Sequence, residues 1–120
     1  CLFFKDFLEK NRTASIIPLI KKKVFDTVGF FNTHFTIAED WEFWRRVSYY
    51  YDFYAINDVL GYVRIHNHSM SFTKNTSALS RLLLYRNLTR TLLIWGDTRF
   101  TRHEKRVISK IEWQVYKKLI

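Results

Sequence analysis

A chain of 120 residues that is 48% hydrophobic and 18% aromatic can bury a core of its own, which excludes a disordered segment. Its formal net charge of +9 asks for a polyanionic neighbour: nucleic acid, an anionic membrane surface or a phosphorylated substrate. The lone cysteine, Cys1, excludes an internal disulfide framework and fits a reducing, cytoplasmic setting. No apolar run reaches the roughly 18 residues of a membrane-spanning helix, and no signal-peptide pattern opens the chain. Because the first residue is Cys1 and not Met, the chain is expected to be a piece of something longer.

In chain order, "CLFFKDFLEKN" carries an apolar helical stripe through Leu2, Phe3, Phe4, Phe7 and Leu8 that ends near Asn11. "TASIIPLI" reads as a short strand whose Pro18 argues for an edge or a strand end. "KKKVFDTVG" is a short helix stopped by Gly29, a natural C-terminal cap. An aromatic loop, "FFNTHFTIA", leads into a helix from Glu39 with Trp41, Phe43, Trp44, Val47 and Tyr51 on its apolar face and Arg45, Arg46 and Ser48 on its polar side. The period then switches: Phe53 to Ile56 and Val59 to His66 read as two strands about an Asn57-Asp58 turn. "NHSMSFTKNTS" is a polar loop. Residues 78 to 95 form a leucine-striped helix ended by Gly96-Asp97, and a last helix runs from about Thr101 to Ile120. A composition break near residue 73 separates a mixed α/β block, 1–72, from a basic helical tail, 73–120.

Taken alone, the adjacent pair Glu39-Asp40 is a helix start, since acidic side chains there complement the helix dipole and cap free amides. Its aromatic flanks point further, to carboxylates partly withdrawn from water, the setting of a general base. Arg64 and His66, two residues apart, fall on one side of their strand, where a guanidinium and a neutral imidazole suit a phosphate and its metal. Sequons at Asn11, Asn67, Asn75 and Asn87 are read as chance in a chain without a secretory signal.

From Thr13 to Phe72 the motifs, in order, are Val28-Gly29-Phe30-Phe31, then Glu39-Asp40-Trp41-Glu42-Phe43-Trp44-Arg45-Arg46, then Tyr62-Val63-Arg64-Ile65-His66 and Ser69-Met70-Ser71. This half of the chain resembles the second half of a family 2 glycosyltransferase of the GT-A fold. The resemblance implies a fold class of α/β type: short strands, packed helices and a helical C-terminal tail. It also implies a function, inverting transfer of a sugar from a nucleotide-diphosphate donor to a glycan or lipid-linked acceptor. Asp40 matches the general base. Glu39 and Gly29 match acceptor-side positions, Arg64 would lie near the donor diphosphate, and His66 matches a histidine that joins a divalent metal, Mn or Mg. Trp41 is a candidate for stacking on a sugar face.

The departures are specific. No Asp-x-Asp and no Gly-rich phosphate loop occur, so the nucleotide-binding half of such an enzyme is absent from these residues, and the 120 residues alone are expected neither to bind uridine diphosphate with manganese at micromolar levels nor to turn over. Two other classes stay open. A basic non-catalytic module would bind nucleic acid, although its charges and aromatics are not interleaved on any reading element. Alternatively, the C-terminal helices, each with an apolar stripe and an Arg/Lys face, would lie on an anionic membrane surface. A homodimer through an exposed sheet edge is a further expectation.

Overall fold

The computed structural model describes residues 2–13, 17–67 and 77–119. Five helices account for its regular structure: α1 (Leu2–Glu9), α2 (Lys23–Val28), α3 (Glu39–Tyr50), α4 (Ala78–Trp95) and α5 (Arg102–Leu119). Each sits where the apolar periodicity places it. Gly29 ends α2 at φ 84° and ψ 179°, a backbone shape that side-chain-bearing residues avoid, and its N–H bonds the Phe25 carbonyl at 2.9 Å. Ser77 caps α4, its hydroxyl accepting from the Ser80 N–H at 3.1 Å. Thr101 and Glu104 form a reciprocal capping box at the start of α5, with Thr101 N–H to Glu104 Oε2 at 2.7 Å and Glu104 N–H to Thr101 Oγ1 at 3.2 Å.

Packing centres on α1 and α3. Helix α1 touches α3 and α5, α3 touches α2 and α4, and α4 pairs with α5. One apolar cluster gathers Phe7, Val24, Val28, Phe43, Trp44 and Val47; a second gathers Leu8, Leu92, Phe100, Ile108 and Ile111. Adjacent residues of α1, Phe7 and Leu8, thus point into different clusters and make this short helix the wedge between them. No described helix is long and apolar enough to cross a membrane.

The expected α/β architecture is corrected: among the described residues there is no strand and no sheet, and the arrangement is a small helical bundle. Phe53 packs against Phe7 with ring centroids 4.8 Å apart, and beyond it residues 54–66 run without helix or strand. Tyr54, Ile56, Val59, Leu60, Tyr62, Val63 and Ile65 are all exposed. Alternating and β-branched sequence favours an extended backbone, but a strand exists only when a neighbour supplies the ladder of hydrogen bonds, and none of the described residues does so. Residues 17–20 around Pro18 are likewise neither helix nor strand, while Ala14 to Ile16 and the Ser69-Met70-Ser71 motif lie outside the described residues.

Candidate functional site

The N-terminus of α3 holds the candidate site. Ala38 turns the chain with a left-handed backbone, φ 62° and ψ 24°, and its carbonyl accepts the first helical bond from the Glu42 N–H at 3.0 Å. Glu39 and Asp40 follow as the first helical residues, both half-buried. Asp40 Oδ1 accepts from the Trp41 N–H at 2.7 Å, and Oδ2 accepts from Asn11 Nδ2 at 3.1 Å. Asn11 in turn takes the Thr13 N–H on Oδ1 at 3.4 Å, so a turn after α1 orients the carboxylate from outside its own helix. Glu39 has no hydrogen-bond or ionic partner among the described residues. Sequence reading missed the role of Asn11, treating it as a chance sequon; its contact spans 29 residues, and no local spacing announces it.

The rest of the Glu-Asp-Trp-Glu-Phe-Trp-Arg-Arg motif is structural. Arg45 is 0% exposed and Arg46 4%, so the polar side expected of α3 is buried rather than solvated. Arg45 crosses to the C-terminal end of α1, donating from Nε to the Phe7 carbonyl at 3.1 Å and from Nη2 to the Leu8 carbonyl at 2.6 Å. Its guanidinium lies 4.5 Å from the Trp41 ring centre and 4.9 Å from that of Tyr85. Burial pulls its pKa down to about 10, although the neighbouring Tyr85, Glu112 and Glu42 oppose that shift. Arg46 forms a bidentate pair with Glu42 at 2.9 and 2.8 Å while reaching the carbonyls of Val28 and Phe30 at the end of α2. Two helix C-termini, each with carbonyls lacking intrahelical partners, are capped by consecutive cations of α3.

Trp41 belongs to this framework. Its indole Nε1 donates to the Phe7 carbonyl at 2.6 Å and its half-buried ring packs 5.9 Å from Tyr85 and against the Arg45 guanidinium, which ties the first turn of α3 to α1 and α4. Gly29 sits beside Arg46, where a Cβ would lie 3.6 Å from Nη1; its requirement is the positive φ, and it belongs to the α2 cap. Arg64 and His66 are exposed in the extended segment. The contacts of Asp40 are with Asn11 and Trp41, so the structure does not bring Arg64 or His66 to it. The described residues gather no three His, Cys, Asp or Glu side chains that could hold a metal ion.

A groove of about 570 Å³ opens between the loop that leads into α3 and one face of α4. Its polar lining is Asn32, His34 and Thr36 from the loop and Asn87, Arg90 and Thr91 from the helix, over an apolar floor that includes Phe35 and Ile94. Asn32 shapes the loop, its Oδ1 accepting from the His34 N–H at 3.0 Å. Ile37, three residues before Asp40, also lines it. No family model matches the chain, and comparison with curated proteins and with solved structures likewise finds no match.

Proposed function

We propose that these residues carry the acceptor side of an inverting glycosyltransferase resembling family 2, with Asp40 as general base. The observation that carries the reading is the state of the Asp40 carboxylate: half-buried at the first turn of α3 and fixed by Asn11 on one oxygen and the Trp41 N–H on the other. An ionised carboxylate has about four acceptor positions, so two fixed contacts leave room for the hydroxyl of an acceptor sugar. The hydroxyl proton passes to Asp40 as its oxygen forms a bond to the anomeric carbon. The nucleotide diphosphate leaves from the opposite face with the bonding electron pair, which inverts that carbon. Glu39, unpartnered among the described residues and next to the base, would accept a second acceptor hydroxyl. The donor nucleotide contacts fall to residues outside those described.

The test is Asp40→Asn in the intact enzyme, since the exchange keeps shape and the oxygen that accepts the Trp41 N–H while removing basicity, and the new amide nitrogen pairs with Asn11 once the Asn11 amide turns its oxygen toward it. Sugar transfer should fall by about 10²–10⁴-fold, the usual worth of a general base, with far-UV circular dichroism unchanged and stability lowered by no more than the roughly 1 kcal/mol of one hydrogen bond. Near-normal turnover in that variant would end the proposal.

A further inference from the structure

The groove between α4 and the loop that leads into α3 has a chemically lopsided lining, and Ile37, three residues before Asp40, is part of it. Four neutral polar side chains, Asn32, Thr36, Asn87 and Thr91, offer both donors and acceptors, the pattern that sugar hydroxyls pair with. The apolar floor suits the C–H face of a pyranose. The one guanidinium, Arg90, is exposed and has no ion pair or hydrogen bond among the described residues; no acidic side chain lines this groove, and two acidic groups, Asp97 and Glu112, share with Arg90 a second cavity. His34 faces it from the opposite wall. The volume of about 570 Å³ falls inside the roughly 300–1,000 Å³ of small-ligand sites.

We infer that this groove is the acceptor subsite and that it takes a sugar bearing an anionic group, a carboxylate or a phosphate, with Arg90 as the anion contact. The inference rests on the proposed acceptor-side reading. Its physical basis is a cation without an ion pair among the described residues, set among hydroxyl-matching groups. A planar guanidinium holds a carboxylate or phosphate through two parallel hydrogen bonds, and the loop that forms one wall runs directly into Glu39 and Asp40. Neutral sugars would fill the same space without gaining that charge-assisted contact.

Amide chemical-shift titration of the 120-residue chain with glucuronate, glucose 6-phosphate and glucose tests it. At least one anionic sugar should give saturable shifts confined to residues 32–37 and 84–94, and glucose should bind about tenfold more weakly or worse. Arg90→Gln should bring the anionic sugar down to the level of glucose, whereas Arg81→Gln, exposed on α4 but outside the groove, should change nothing. Which anionic sugar binds tighter decides between carboxylate and phosphate. Scattered or absent shifts, equal affinity for glucose, or an Arg90→Gln variant indistinguishable from the parent would overturn the subsite. Because binding is read without turnover, loss of transfer in Asp40→Asn together with absent sugar binding removes the subsite alone. Localised sugar binding with normal Asp40→Asn turnover removes the catalytic reading on which the acceptor assignment rests.

Discussion

Glu104 shows how one side chain can set the pH response of an element. Its carboxyl is held below the ordinary carboxylate value first by the Thr101 backbone N–H, then by the Thr101 hydroxyl, with Tyr49 adding a weaker contact at 3.2 Å. A carboxyl whose folded pKa lies below its unfolded one contributes stability that is complete above the unfolded value, near 4.5, and is lost as pH falls through the folded value. Glu104→Gln should therefore cost under about 1 kcal/mol at pH 7, because the group is largely solvated, and the difference from the parent should shrink as pH falls through the folded value. Urea unfolding at pH 7 and at pH 3 reads this; a cost that persists unchanged at pH 3 would assign the effect to packing. At this same scale the candidate site was half legible. Asp40 stood out by its neighbours, whereas Asn11, which orients it, gave no signal, since an asparagine after a helix has many local uses and its partner lies 29 residues away.

Among elements, α3 organises the bundle through its charges as much as through its apolar face. Arginines default to the surface, which is why Arg45 and Arg46 read as a solvated side; the unpaired carbonyls at the ends of α1 and α2 reverse that default. One part was readable: Glu42 and Arg46 stand at i and i+4, the spacing of a helix ion pair. Arg45→Ala should destabilise by about 2 kcal/mol or more, since it opens a space between Trp41 and Tyr85 and removes one of the two donors from each of the Phe7 and Leu8 carbonyls, which keep Trp41 Nε1 and the Tyr85 hydroxyl. Arg45→Lys should recover little of that loss, because an ammonium can neither fork to both carbonyls nor stack flat between two rings. Thermal unfolding of the two variants compares them directly, and a lysine variant as stable as the parent would refute the fork-and-stack account. Helix existence and ends followed from periodicity and from Gly29 and Gly96. The two strands predicted between Phe53 and His66 did not form, because alternation in a sequence specifies which side chains share a face but cannot provide the neighbouring backbone that makes a ladder.

Across the whole molecule, stability is unevenly spread. The helices interlock around α1 and α3, while residues 54–66 keep seven large apolar side chains in water. Native-state hydrogen exchange should find the amides of α3 and the buried turns of α4 and α5 protected, and those of 54–66 exchanging near the rate of an open chain at low protein concentration. Slow exchange in 54–66 under those conditions would mean that the segment has found a backbone partner. The +9 charge is consistent with this exposure, since like-charge repulsion limits self-association of a chain with so much open apolar surface. The Leu8 carbonyl carries a different consequence, in time. It accepts from both Arg45 Nη2 and the Tyr85 hydroxyl, the latter 77 residues further along the chain. At about 5–20 residues per second, a ribosome needs roughly 4–15 s to travel from Leu8 to Tyr85. Of the five helices α1 thus emerges first, and through that interval its C-terminal carbonyls rely on water for the contacts that α3 and α4 later supply.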